Sequence, residues 1–144
     1  DAGHGDNALP QRAKATVNCR LLPKEDPEFI RSELQKLAGD KVRVTPRAQA
    51  RTSEPSDAQS PVIKTITRVT ESLWPGTPVI PVMSAGATDG SRLRNEGIPT
   101  YGTSGVFTEY GESRIHGKDE RIPIKSLYQA QEYLYRLIQA LASE

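Results

Sequence analysis

From Ala13 to Leu21 the chain alternates, with Ala13, Ala15, Val17, Cys19 and Leu21 small or apolar and Lys14, Thr16, Asn18 and Arg20 polar between them. A period of two predicts a strand with one buried and one solvated face. Pro23 ends it. Asp26-Pro27-Glu28 then places a capping carboxylate, a proline at the first helical position and an acid in the first turn. Ile30, Leu34 and Leu37 form the apolar stripe of that helix, and Gly39 is its stop. Val42 and Val44 flank Arg43 in a second short strand, closed by Pro46. The result is a strand–helix–strand unit near the size of one βαβ unit.

Between Ala48 and Ser60 the periodicity disappears into Gln, Arg, Thr, Ser, Glu, Pro and Asp, so residues 48–59 read as a linker between two domains. Ser60-Pro61 opens a second helix, with Val62, Ile63, Ile66, Val69 and Leu73 on one face and Pro75-Gly76 as terminator. Pro78 to Met83 predicts a short buried strand, its two prolines favouring an edge. Thr88-Asp89 caps a short helix running to about Asn95, with Gly97 as its stop and a further short strand over Ile98–Tyr101. Residues 102–121 hold four glycines and no period, and loops of that length in compact domains are commonly functional or disordered. A last helix begins near Pro123, with Leu127, Leu134, Ile138 and Leu141 as its apolar stripe, widened by Tyr128 and Tyr135. Strands and helices in this order predict an α/β layer architecture.

Composition narrows the function classes. The chain has 144 residues, 35% of them hydrophobic, with 19 basic against 18 acidic groups. That balance predicts no nucleic-acid partner and no attraction to an anionic membrane. No apolar run is long enough for a transmembrane segment. The single Cys19 excludes an internal disulfide and a cysteine-rich metal site. The first residues, Asp1 to Asn7, lack an initiator methionine and read as the inside of a glycine-rich loop, so the chain is expected to be a fragment.

Candidate chemistry centres on Arg114 to Ile122, where one histidine, two carboxylates and three cations share a glycine-containing loop. A neutral imidazole is a common zinc ligand, often steered by a neighbouring carboxylate. With only His4 and His116 in the chain, a complete zinc site would need several carboxylates. His116 is the candidate ligand, and His4 reads as a loop histidine. Asp119 and Glu120 either orient the His116 loop or pair with Lys118 and Arg121. The small residues Gly86, Ala87 and Thr88 feed a helix N-terminus, where backbone N–H groups can meet a substrate carboxylate; the same residues also make an ordinary capped turn.

Three stretches in order resemble the zinc aminoacylase and carboxypeptidase family, which includes acetylornithine deacetylase and succinyl-diaminopimelate desuccinylase. They are Asn7-Ala8-Leu9-Pro10 with the strand through Arg20, then Met83 to Gly90, then Ile115 to Glu120. The resemblance implies the C-terminal part of a zinc-peptidase-like catalytic domain, preceded by the last strand–helix–strand of an α+β sandwich lid. Residues 1–47 would be lid, 48–59 linker and 60–144 catalytic domain. It implies two zinc ions in the intact parent, with His116 the one ligand in this chain and the general base upstream. Asn7 and Arg20 resemble lid residues that reach the cleft and bind substrate or its oxyanion. The implied substrate is a peptide or an N-acyl amino acid, and the implied assembly a homodimer through the lid. This chain alone is expected neither to hold zinc tightly nor to catalyse. The alternative is a non-catalytic interaction module that pairs through an exposed sheet edge.

Overall fold

The computed structural model describes residues 9–10, 12–50, 52–84, 86, 88–112 and 114–143. Asn7, Ala87 and His4 lie outside the described residues. Among the described residues the elements are four helices: α1 (Pro27–Ala38), α2 (Pro61–Leu73), α3 (Gly90–Asn95) and α4 (Ile124–Ala142). Contacts divide the chain into two units, Asp1–Ala50 and Arg51–Glu144.

The helix ends follow local chemistry. The Asp26 carboxylate accepts from the Glu28 N–H at 2.9 Å, and Pro27 sits where a missing N–H costs nothing. The Ser60 hydroxyl accepts from the Ile63 N–H at 3.3 Å, a cap of the kind that contributes about 1 kcal/mol to a helix. At the end of α3 the Ile98 N–H donates to the Leu93 carbonyl at 2.9 Å and Gly97 N–H to that of Arg94 at 3.0 Å, with Gly97 at φ 79°. That paired arrangement is a Schellman stop, and the positive φ is why glycine stands there.

The α/β expectation is overturned: among the described residues there is no strand, only an isolated bridge at Ala13. A strand is stable when a neighbour satisfies its backbone groups and covers one face. None of the four expected strands pairs with another strand. Val17, Val42, Ile80, Val82 and Ile98 are 70%, 52%, 69%, 84% and 52% exposed, while Val79 and Tyr101 pack on the core as single side chains and not as a sheet face. Pro78, Pro81 and Pro99 also remove ladder donors. Among the described residues there is therefore no strand–helix–strand lid.

Within the first unit one side chain replaces the missing ladder. The Gln35 amide donates to the carbonyls of Gly39 and Val42 at 3.1 and 2.8 Å, and its oxygen accepts from the Val44 N–H at 2.9 Å. The segment after α1 is thereby pinned back on the helix by an amide rather than by another strand. Glu28 and Arg31 pair on the surface of α1, and the hydrogen bond from Arg31 holds the Glu28 carboxyl below its ordinary range. No residue of α1 is buried, and Leu37, expected on its core stripe, is 85% exposed.

The second unit is built on α2 against α4. Ile66 and Val69 of α2 meet Tyr133 and Leu137 of α4, with Val62, Ile63, Leu73, Trp74, Val79, Tyr101 and Ala140 packed around them. Here the sequence reading of α4 is corrected. Its buried residues are Ser126, Ala130, Tyr133 and Leu137, while Leu127, Tyr128, Tyr135 and Ile138 are exposed. The helix carries two apolar faces, and α2 covers the one with smaller residues and a tyrosine.

The 102–107 segment is strapped onto this pair. Tyr133 and Thr103 share a hydroxyl–hydroxyl bond of 2.8 Å, and Ser126 donates to the Phe107 carbonyl at 2.6 Å. Phe107 and Tyr133 flank Trp74 at ring-centroid distances of 4.8 and 5.6 Å. Residues of the expected linker are tied in as well. Ser56 bonds both backbone groups of Thr100, at 2.8 and 3.0 Å, and the Arg94 guanidinium donates to Ser53 at 3.0 and 3.1 Å.

Candidate functional site

His116 sits at the tip of the loop between residues 112 and 121, in a left-handed backbone conformation with φ 65°. Such a conformation is uncommon for a residue with a Cβ and costs on the order of 1–2 kcal/mol. The turn is closed by the Gly117 N–H, which donates to the Arg114 carbonyl at 2.9 Å. His116 is exposed and its imidazole makes no hydrogen bond to the described residues. It is therefore available to an external ligand or cation.

Two nearby carboxylates are already engaged. Asp119 is bonded to Arg114 and stands 3.5 Å from Arg121. Glu112 pairs with the same two arginines, at 3.4 Å from Arg114 and 3.5 Å from Arg121. Asp119 pairs with Arg121, one of the partners expected for it, and with Arg114 besides. Glu120 takes no part in this network. Sequence reading assigned Glu112 and Arg114 no catalytic role and did not announce their pairing with Asp119 and Arg121. The available signal was the alternation Glu112, Arg114, then Asp119, Arg121, on either side of a glycine turn.

The turn before α3 contains the other candidates. Gly86 N–H donates to the Ser84 hydroxyl at 3.3 Å, and the Thr88 carbonyl accepts from Ser91 at 3.3 Å. Asp89 precedes α3 without a side-chain capping bond, and Arg92 stands 3.9 Å from it. An anion arriving at this turn would compete with Asp89 for Arg92, a cation not singled out from the sequence. α3 itself has six residues, so its dipole is small. Arg20 is exposed and belongs to the first unit, whereas His116, Gly86 and Thr88 belong to the second. Arg20 has an interaction partner.

Do these residues fit a metal centre? A zinc site takes three or four protein ligands. Among the described residues no group of three or more His, Cys, Asp or Glu is placed to hold a metal ion. The described residues do not fit a metal site by themselves; one imidazole is on offer. A hollow of about 230 Å³ beside the α2–α4 pair, walled by Trp74, Phe107, Tyr133 and the hydroxyls of Thr70, Thr103 and Ser104, has no carboxylate, imidazole or cation in its lining. No described helix is long and apolar enough to cross a membrane.

Comparison with known proteins supplies what the geometry lacks. Residues 4–140 match the family described as peptidase family M20/M25/M40. The chain is also 26% identical over 142 residues to a probable carboxypeptidase S-like 2 of Dictyostelium discoideum. That alignment covers 96% of this chain and 27% of the relative, so the chain spans about a quarter of that relative's length. No solved structure matches the chain.

Proposed function

We propose, since this chain belongs to the peptidase family M20/M25/M40, that it is the part of a metal-dependent hydrolase which carries one metal-binding imidazole, His116. The single observation behind this reading is the family match along residues 4–140, which includes the His116 loop. The bond cleaved is an amide, in a peptide or an N-acyl amino acid. The relative's description as carboxypeptidase-like supports a substrate with a free carboxylate.

The described residues suggest roles short of a full mechanism. His116 offers an unbonded, exposed nitrogen from a fixed turn, which suits a ligand better than a buried proton shuttle. Gly86 and Thr88 offer polar backbone groups, and Arg92, close to Asp89, a cation, to a substrate carboxylate. Arg20 is a further candidate for an oxyanion or carboxylate.

The test is hydrolysis by the longest polypeptide that the reading frame encodes. N-acyl amino acids and C-terminal peptide bonds are offered before and after treatment with a chelator. Hydrolysis that is lost with the chelator and restored by added zinc is the expected result. Amide cleavage indifferent to the chelator, or none at all, would remove the reading.

A further inference from the structure

The charges around His116 close on themselves. Glu112 contacts Arg114, Arg114 contacts Asp119, Asp119 contacts Arg121, and Arg121 returns to Glu112 at 3.5 Å. Signs alternate around this ring, so each contact is attractive. Two members precede His116 in the chain and two follow it. We infer that this ring of four charges is the clamp that fixes the His116 loop, and that Arg114 and Asp119 are positioning residues for the imidazole. The inference rests on the reading of His116 as the chain's metal-binding group.

The need for a clamp lies in the backbone of the loop. A histidine at φ 65° is held against its own backbone preference, in a loop whose turn is closed by the bond from Gly117 to Arg114. The imidazole has no hydrogen bond of its own to the described residues. The backbone therefore sets where its Cα–Cβ bond starts and points, and the backbone is held by whatever draws Glu112 and Arg114 to Asp119 and Arg121. A single exposed ion pair does little. The side chains are 36% (Arg114) to 65% (Asp119) exposed, so the clamp works as a network and weakens with salt.

A closed ring and a lone Arg114–Asp119 pair make different predictions. Exchanging the signs of one lone pair restores it. In the ring, Arg114→Asp with Asp119→Arg puts like charges together at Glu112–Asp and at Arg–Arg121. Only inversion of all four members restores alternation: Glu112→Arg, Arg114→Glu, Asp119→Arg and Arg121→Glu.

The experiment reads the hydrogen-exchange rate of the Gly117 amide in this chain by NMR, at low salt. Asp119→Asn should speed exchange about fivefold. The double exchange should be no slower than Asp119→Asn, and the fourfold inversion should return toward the wild-type rate. An unchanged rate in Asp119→Asn, or rescue by the double exchange, would overturn the ring.

Zinc affinity of the longest encoded polypeptide, by competition with a chelator, then separates clamp from ligand. Asp119→Asn should weaken it about tenfold, the scale seen for groups that orient a metal-binding histidine. Unaltered affinity beside faster exchange would overturn the positioning role. If His116→Asn also leaves zinc affinity unaltered, the ligand reading falls, and the ring stands or falls on Gly117 alone.

Discussion

Gly105→Ala should unfold the α2–α4 pair at or near room temperature. A Cβ built on Gly105 would lie 2.6, 2.8 and 3.0 Å from Cδ1, Cγ and Cβ of Tyr133. Those atoms cannot yield. Tyr133 is 1% exposed, its hydroxyl bonds Thr103, and its ring lies against Trp74. Gly105 also has φ 65°, which costs an alanine on the order of 1–2 kcal/mol before any clash is counted. Overpacking a filled core adds about 1–3 kcal/mol. The buried apolar residues are only Ile66, Val69, Ala130, Tyr133 and Leu137 among those described, so little reserve stands against the loss. Thermal or urea unfolding followed by circular dichroism measures it, with Gly111→Ala as control. Gly111 has φ 81° but nothing within 4 Å of its would-be Cβ, so it isolates the backbone cost from the clash. Equal destabilisation by the two variants would mean that the contact with Tyr133 carries no energy.

His116→Asn should lower both turnover and zinc affinity of the longest encoded polypeptide by at least about 100-fold, a larger effect than loss of a group that merely orients a ligand. Asparagine is chosen because it tolerates the left-handed conformation that His116 adopts at φ 65°, so the loop is kept while the imidazole is removed. Folding should be unaffected, since His116 is exposed and packs in no core. Turnover, metal affinity and an unfolding curve on one preparation check all three statements. Full turnover in the variant would take His116 out of the metal shell.

What was legible in the sequence divides by the range of the interaction responsible. Helix ends are decided within a turn or two. Asp26-Pro27, Ser60-Pro61 and Gly97 each carry their own signal, and the structure places α1, α2 and α3 where those residues put them. Strands are decided by neighbours. The alternation from Ala13 to Leu21 has the right period, but period alone cannot supply a partner, and Val17 remains 70% exposed. The Val42–Val44 segment found its hydrogen bonds in the Gln35 side chain, nine residues or fewer away, which a periodicity argument does not consider.

The face of α4 failed for a related reason. Leu127, Leu134 and Ile138 make the stronger stripe in hydrophobicity, but burial depends on what is opposite. α2 presents Ile66, Val69 and two threonines, and this surface accepts Ala130, Tyr133 and Leu137. The tyrosine's polar end is met by Thr103, a residue thirty positions away. Nothing local announces that bond.

For the candidate site, the family resemblance carried by Met83 to Gly90 and Ile115 to Glu120 agrees with the match over residues 4–140. The residue roles went no further than their own chemistry. His116 could be nominated because imidazole binds metals, whereas the charge ring could not, because it needs the loop to fold before Glu112 and Arg121 meet.

The central claim is that His116 belongs to a metal site which the described residues do not complete. Zinc per polypeptide, by elemental analysis, tests it on this chain and on the longest product of its reading frame after dialysis against metal-free buffer. The account predicts essentially no zinc on this chain, about two ions on a product carrying the remaining ligands, and less on its His116→Asn variant. No zinc on either wild-type protein would leave the loop as a charged turn and contradict the account.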